Sequence, residues 1–198
     1  MMAKLPPEDF IFYASSSCND NPLNCKNDGI IFKTTKPPRV HEEFDPCTAK
    51  NDLALVELDQ NIPSTVGSPI CMIEKDEHLA KELAVLGYGY DPNHPTPENS
   101  IFNRLEMMKI DSVDVKEWNT TKKLEASLKE KMICGGDSGG PLVQIDQEGK
   151  YSVIGISSTS GPFNCSMPVP HGSRRSSDFI DLRYYTDWIC THTGQRSS

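Results

Sequence analysis

The chain has 198 residues, 36% of them hydrophobic, and a formal net charge of −8 at pH 7. This length suits one domain, and the composition is that of a folded globular protein rather than a disordered chain. An acidic surface repels phosphate backbones, which argues against nucleic acid as a partner, and no apolar run approaches the roughly 20 residues that span a bilayer.

Several short segments in the first part of the chain have strand-like patterns. Residues 29–33 predict a short strand, and residues 52–58 predict another, in which Leu53 and Leu55 face inward and Glu57 faces outward. Residues 83–90 predict a strand that runs into a glycine-rich turn. Residues 107–115 alternate loosely between apolar and charged side chains, which also favours a strand.

The middle of the chain contains one predicted helix and a predicted hairpin. Residues 116–131 are rich in Lys, Glu, Leu and Ala, which favours a helix. Residues 142–145 and 151–156 predict two strands that are joined by the polar turn at residues 146–150.

The last predicted elements are a strand and a short helix. Residues 179–185 predict the strand and residues 185–190 the helix, with Thr186 as a candidate N-cap. Because short strands and turns dominate and helix is scarce, the sequence predicts an all-β barrel or sandwich.

Seven cysteines indicate disulfide bonds and therefore an oxidising, extracellular compartment. No Cys-x-x-Cys pair is present, so zinc and thioredoxin chemistry have no motif here. Residues 1–10 lack the apolar core of a signal peptide, and this conflict leads us to expect that the chain lacks the front of a longer protein. The odd count leaves at least one thiol unpaired within the chain. The cysteines are Cys18, Cys25, Cys47, Cys71, Cys134, Cys165 and Cys190.

Residues 134–142 read Cys-Gly-Gly-Asp-Ser-Gly-Gly-Pro-Leu and carry the clearest chemical signal. A serine hydroxyl needs a base to take its proton and donors to hold the oxyanion that forms on attack. Glycines let the backbone turn tightly, so the N–H groups of Gly136 and Ser138 can point at one spot. The segment resembles the nucleophile loop of the chymotrypsin-like, trypsin-family serine proteases. The resemblance implies that Ser138 is the nucleophile and that Gly136 and Ser138 form the oxyanion hole.

A second match supports the same family. Residues 51–58 resemble its Asn-Asp-Ile-Ala-Leu-Leu segment, which implies that Asp52 orients a catalytic histidine. Weaker matches follow in the family's order, at residues 68–71, 86–89, 154–158 and 187–189.

The resemblance also implies a fold. Family members pack two β-barrels around the active site and end in a short helix. We therefore expect one domain over residues 1–198, with residues 1–75 as the remnant of an incomplete first barrel and residues 76–198 as the second barrel. A Cys134–Cys165 disulfide is implied as well, while the pairing of the other cysteines stays open. We also expect a monomer that acts on a protein or peptide substrate and needs no cofactor or metal.

The specificity pocket departs from that of trypsin. Met132 falls near the pocket floor, and Ser158 and Ser160 lie on the strand that lines the cleft. Without a carboxylate at the floor there is no reason to expect cleavage after Lys or Arg. Asp137, which pairs with a free N-terminus in the family, is expected to turn outward and leave the oxyanion hole unformed.

The catalytic histidine of the family is expected at residue 7 or earlier, but residues 1–10 contain no histidine. His41, which lies 11 residues before Asp52, is interpreted as a solvent-facing residue rather than a base. The main hypothesis is a serine endopeptidase that is inactive as the present chain. The alternatives are a non-catalytic homologue that acts as a binding scaffold, and a chain that folds poorly because of its open strand edges.

Overall fold

The computed structural model describes residues 6–7, 10–14, 30–93, 105–129, 131–146, 148–161, 165 and 171–194. Cys18 and Cys25 lie outside these ranges. Most of the regular structure in the described residues is β-strand. None of the helices in this part of the chain is long and apolar enough to span a bilayer.

The first part of the chain forms two small antiparallel sheets. One pairs β1 with β2, and Phe32 of β2 is buried beneath it at 1% exposure. The other pairs β3 with β4. The strands are β1 (Ile11–Ala14), β2 (Ile30–Lys33), β3 (Arg39–Val40) and β4 (Ala54–Leu55).

The rest of the chain forms an eight-stranded sheet. Seven strands lie in the order β7-β6-β10-β11-β12-β9-β8 with antiparallel neighbours, and β5 pairs in parallel with β11. The strands are β5 (Cys71–Met72), β6 (Glu82–Gly87), β7 (Glu106–Asp111), β8 (Val115–Trp118), β9 (Lys123–Leu128), β10 (Pro141–Ile145), β11 (Tyr151–Ser160) and β12 (Arg175–Asp181).

One hydrophobic cluster forms the core of the large sheet. Its members come from most of the strands and from the C-terminal segment, and Leu53 joins them from the first part of the chain. Because Leu53 follows Asp52, the core anchors the segment that carries this carboxylate. The buried members are Leu53, Ile73, Leu83, Val85, Ile110, Leu124, Ala126, Ile133, Leu142, Ile154, Phe179, Ile180, Leu182 and Tyr185.

The predicted helix over residues 116–131 is wrong. The segment contains β8 and β9, which pair with each other, and β9 also pairs with β12. Leu124 and Ala126 are buried on one face of β9, whereas Glu125 between them is half-buried. The burial available beside β12 therefore outweighs the helix propensity of Lys, Glu and Ala, which is a fraction of a kcal/mol per residue.

Other boundaries shift for local reasons. The predicted strand over residues 52–58 is reduced to β4. The predicted strand over residues 179–185 begins earlier, as β12, and ends at Asp181. The side chain of Asp181 accepts a hydrogen bond from the backbone N–H of Arg183 and turns the chain into a 3₁₀ helix, Leu182–Tyr184.

The C-terminal helix is present as predicted, as α1 (Thr186–Thr193). Thr186 is its first residue rather than its N-cap. Tyr185 holds the N-cap position and makes no capping hydrogen bond with its side chain. The all-β class with one short C-terminal helix is confirmed.

We expect Leu124→Ala to lower the free energy of unfolding by about 2–5 kcal/mol, since the side chain is fully buried in the core of the sheet. Val113→Ala is the control, because Val113 is 85% exposed and its truncation should change stability by less than about 0.5 kcal/mol. Urea denaturation measures both. Equal effects would contradict the placement of β9 in the sheet.

Candidate active site

A tight glycine-rich turn presents Ser138 at the surface. Gly136 and Gly139 have φ values of 99° and 83°, in the left-handed region that favours glycine. The Gly139 N–H donates to the Ser157 carbonyl at 2.8 Å, and the Ser157 N–H donates to the Gly140 carbonyl at 2.9 Å. These bonds tie the turn to β11, so Ser138 has a fixed position and an exposed side chain.

The carboxylate of Asp137 points into the protein. It accepts one hydrogen bond from the Gly89 N–H and one from the Cys134 N–H, each at 2.8 Å. Gly87 and Gly89 lie directly against it, and a Cβ on Gly89 would come 2.5 Å from its Cγ. The expectation that Asp137 turns outward is therefore wrong, because two backbone donors satisfy the half-buried carboxylate without a cation.

The backbone N–H groups of Gly136 and Ser138 are available to a ligand. Within the described residues, neither group donates a hydrogen bond to the protein. Paired N–H donors of this kind stabilise the oxyanion of acyl transfer when they converge on it. The sequence predicts an unformed oxyanion hole because Asp137 would turn outward. Since Asp137 points inward, this reason no longer applies.

Ser158 connects Asp52 with Ser138. Its Oγ donates to Asp52 Oδ2 at 2.8 Å, and its carbonyl oxygen lies 3.5 Å from Ser138 Oγ. The register of β11 against β12 shifts between Ser157 and Thr159, so Ser158 lies in a β-bulge. A bulge re-aims a side chain out of the regular ladder, and here both ends of Ser158 meet the predicted catalytic residues.

The segment before Asp52 is held by a buried amide. Asn51 is fully buried and has a φ of 55°. Its Oδ1 accepts a 2.7 Å hydrogen bond from the Tyr185 hydroxyl, and its Nδ2 donates to the Glu43 carbonyl at 2.9 Å. Burial raises the pKa of Tyr185 to about 12, with smaller contributions from Asp181 and Glu43. The backbone around Asp52 therefore depends on a residue at the start of α1.

No histidine among the described residues forms a hydrogen bond with Asp52 or Ser138. His41 is half-buried rather than solvent-facing, with its ring 5.0 Å from that of Trp188. Its Nδ1 accepts a hydrogen bond from the Glu43 N–H at 3.2 Å. The described histidines are His41, His78, His171 and His192, and His94 lies outside the described residues.

The predicted substrate-binding residues differ in their position relative to the cavity at Met132. Met132 lines a cavity of about 310 Å³ together with Asp137 and Arg175, whereas Ser158 and Ser160 are not among its lining residues. Arg175 is 7% exposed, and its guanidinium lies 3.2 Å from the sulfur of Met132. Ser160 is exposed at the end of β11. A positive charge therefore lies beside the residue that was predicted to form the pocket floor.

The disulfide implied by the resemblance is present between Cys134 and Cys165. It joins the start of the nucleophile turn to the segment after β11, and the Ile133 N–H donates to Ser177 Oγ of β12 at 2.9 Å. In the part of the chain that the structure describes, Cys47, Cys71 and Cys190 are free thiols. No cluster of His, Cys, Asp or Glu side chains in that part could hold a metal ion.

The sequence does not indicate two positioning groups. Ser158 is predicted only as a residue of the substrate cleft, and nothing in the sequence indicates its bond to Asp52, 106 residues away. Residues 86–89 predict only a turn, although both glycines there are needed for the approach of Asp137. The signal that could have found the second group is the pair of glycines two residues apart, which often marks a close approach by another chain segment.

Comparison with known proteins gives consistent matches. The sequence model of the family described as Trypsin matches residues 22–189. Serine protease filzig of Drosophila melanogaster is 30% identical over 83% of this chain and 10% of its own length. Mannan-binding lectin serine protease 1 of Homo sapiens is 27% identical over 82% of this chain and 24% of its own length. Trypsin eta of Drosophila melanogaster is 30% identical over 81% of this chain and 60% of its own length. The chain thus spans less than two thirds of each of these relatives.

We expect Gly89→Ala to expel the Asp137 carboxylate and disorder the nucleophile turn, because the new Cβ would overlap the carboxylate. Loss of the two hydrogen bonds should lower the free energy of unfolding by about 2 kcal/mol. Gly67→Ala is the matched control, since its Cβ would lie 3.8 Å from Ile62 in ordinary contact. Thermal unfolding of both variants measures the difference, and equal melting temperatures would contradict this role of Gly89.

We expect the stability of the fold to decrease between pH 10 and about 12 through Tyr185. The unfolded chain ionises tyrosine near pH 10, whereas burial raises the pKa in the folded chain to about 12. The neutral phenol therefore contributes stability that is complete below pH 10 and is lost as the pH rises through 12. Tyr185→Phe removes this pH dependence and, by leaving Asn51 without a donor, costs about 1–3 kcal/mol at neutral pH. Urea denaturation across pH measures both effects, and parallel profiles would contradict the assignment.

Proposed function

Because the chain belongs to the trypsin family of serine proteases, we propose that Ser138 and Asp52 are the nucleophile and the orienting carboxylate of a serine endopeptidase site. The observation that carries this proposal is the meeting of both side chains at Ser158, at 2.8 Å from Asp52 Oδ2 and 3.5 Å from Ser138 Oγ. Family membership and this contact support the same pair of residues.

The proposed reaction is hydrolysis of a peptide bond through an acyl-enzyme. Ser138 Oγ attacks the carbonyl carbon while a base removes its proton. The N–H groups of Gly136 and Ser138 hold the oxyanion. The bond to the leaving amine then breaks, and water hydrolyses the acyl-serine ester. Asp52 steadies the base, and Ser158 steadies Asp52.

The substrate is a protein or peptide, and the pocket does not select Lys or Arg before the scissile bond. Two observations support this. Met132 provides a thioether where a carboxylate would be needed, and the group 3.2 Å from its sulfur is the Arg175 guanidinium rather than an acidic side chain. We place Ser158 and Ser160 along the cleft that leads to this pocket.

We also propose an extracellular location and a two-part domain. The disulfide between Cys134 and Cys165 supports an oxidising compartment. Residues 1–75 would be the remnant of a first barrel and residues 76–198 the second. Both small sheets lie before residue 75, and seven of the eight strands of the large sheet, all except β5, lie after it, which supports this division.

The activity of the present chain is low in this proposal. No described histidine contacts Asp52 or Ser138 through a hydrogen bond. In a Ser-His-Asp triad on an unrelated fold, loss of the base costs on the order of 10⁶-fold in kcat, while the oxyanion donors and binding retain on the order of 10³–10⁴-fold over water. The same observation favours the second candidate function, a non-catalytic homologue that binds a partner through the protease scaffold.

A boronic acid distinguishes the endopeptidase from the scaffold. It can bond to the oxygen of a reactive serine even where no catalytic base is present. We expect phenylboronic acid to form a tetrahedral adduct on the chain, detected by ¹¹B NMR, with the oxyanion donors holding one boronate oxygen. The adduct should disappear in Ser138→Ala and persist in Ser68→Ala, which alters an exposed serine outside the site. If no adduct forms, or if it survives in Ser138→Ala, the scaffold function is correct instead.

A further inference from the structure

The turn between β8 and β9 carries a sequence that the proposed function does not use. Residues 119–121 read Asn-Thr-Thr, which is the Asn-x-Thr pattern whose asparagine accepts an N-linked oligosaccharide. The pattern is short and occurs often by chance, so its structural setting decides whether it is an acceptor. All three residues are exposed in the turn, so the side chain of Asn119 is accessible in the folded chain.

The amide of Asn119 has its oxygen bonded and its nitrogen available. Oδ1 accepts a 2.9 Å hydrogen bond from the Tyr184 hydroxyl. Among the described residues, Nδ2 donates no hydrogen bond to the protein. Because the oligosaccharide is attached to this nitrogen, a glycosylated amide would keep its bond to Tyr184. The fold can therefore carry the sugar without losing a contact.

The turn also presents the threonine of the pattern. The Thr121 N–H donates to the Trp118 carbonyl at 3.2 Å, which closes the turn. Thr121 Oγ1 lies 3.4 Å from the same carbonyl oxygen, beyond the range of roughly 2.5–3.0 Å for a hydroxyl hydrogen bond. The hydroxyl that the pattern requires two residues after the asparagine is therefore not committed to the protein.

Two aromatic rings beside Asn119 are exposed. Trp118 is 43% exposed and Tyr184 is 41% exposed. Trp118 is the last residue of β8, which lies at an edge of the large sheet in the described part of the chain. Exposed rings at an unpaired strand edge favour association with other chains, and natural proteins commonly cover such edges.

We propose that Asn119 is an N-glycosylation site and that its glycan covers the rings of Trp118 and Tyr184 at this edge of the sheet. The inference rests on the proposed extracellular location, which the disulfide between Cys134 and Cys165 supports, and not on the proposed hydrolytic activity.

The modification is a group transfer from a lipid diphosphate. The donor is an oligosaccharide whose first sugar is linked to a polyprenyl diphosphate, and a transferase of the secretory pathway supplies the base. The bond from Asn119 Nδ2 to the anomeric carbon forms as the bond from that carbon to the diphosphate oxygen breaks. Nδ2 gives one proton to the base, and the lipid diphosphate leaves with the electron pair. No oxidant or reductant takes part.

The first experiment locates the sugar on the full chain produced in the secretory pathway of cultured animal cells. Peptide N-glycosidase F in ¹⁸O-labelled water converts a glycosylated asparagine to a labelled aspartate, which peptide mass spectrometry locates. We expect the label at position 119 in the unmodified sequence and in Thr120→Ala, and its loss in Thr121→Ala. These variants are matched, because each truncates one exposed threonine of the turn and only Thr121 is required by the pattern.

Two internal controls make the result decisive. A second pattern, Asn-Cys-Ser, begins at Asn164 outside the described residues, and a label there alone would overturn the inference. The disulfide between Cys134 and Cys165, mapped without reduction in the same sample, reports passage through an oxidising compartment. The disulfide without a label at position 119 would overturn the inference alone, and absence of both would also overturn the proposed location. The boronate test of Ser138 is independent of either result.

A second arm tests the covering role by size-exclusion chromatography. Thr121→Ala lacks the sugar but keeps Asn119 and its bond to Tyr184. We expect this variant to shift to larger species at concentrations where the glycosylated chain and Thr120→Ala stay monomeric. Adding Trp118→Thr to Thr121→Ala should restore the monomer, because it removes the exposed ring. Equal elution of Thr121→Ala and Thr120→Ala would overturn the covering role and leave the modification site intact.

Discussion

The nucleophile turn depends on how one half-buried carboxylate is satisfied. Asp137 lies between the end of β6 and the turn, and its two oxygens take hydrogen bonds from Gly89 and Cys134. An unpaired carboxylate in this position would be costly, so the turn either keeps these bonds or opens. The disulfide at Cys134 fixes one of the two donors in place. The exposed position of Ser138 follows from an anchor one residue away that faces the interior.

Ser158 holds the Asp52 carboxylate in position through a hydrogen bond from its hydroxyl. In a regular antiparallel ladder successive side chains alternate strictly between the two faces of the sheet. The register shift between Ser157 and Thr159 interrupts this alternation, so the hydroxyl of Ser158 reaches the carboxylate while its carbonyl faces Ser138. The two predicted catalytic residues come from segments that are not paired in any sheet. One irregular residue in β11 is what brings them together.

The sequence predicted local features well and long-range ones poorly. The hairpin of β10 and β11 and the C-terminal helix follow from local patterns and were found. Residues 116–131 were assigned to a helix because their composition favours it, while the partner that overrides this preference, β12, lies some fifty residues further on. The bond from Ser158 to Asp52 joins residues 106 apart, and no spacing along the chain indicates it. Asp137 was misplaced because the glycine turn that receives it is likewise distant in sequence.

The bond between Tyr185 and Asn51 links positions 134 residues apart, the first in the C-terminal segment and the second beside the carboxylate. Trp188 of α1 adds a 2.7 Å hydrogen bond to Glu42 in the same early region. Contacts of such wide separation are slow to form because a long loop must close first. During synthesis on the ribosome, Asp52 emerges long before the residues that fix its backbone. The geometry around Asp52 can therefore be completed only after the segment of α1 has been synthesised, long after Asp52 itself.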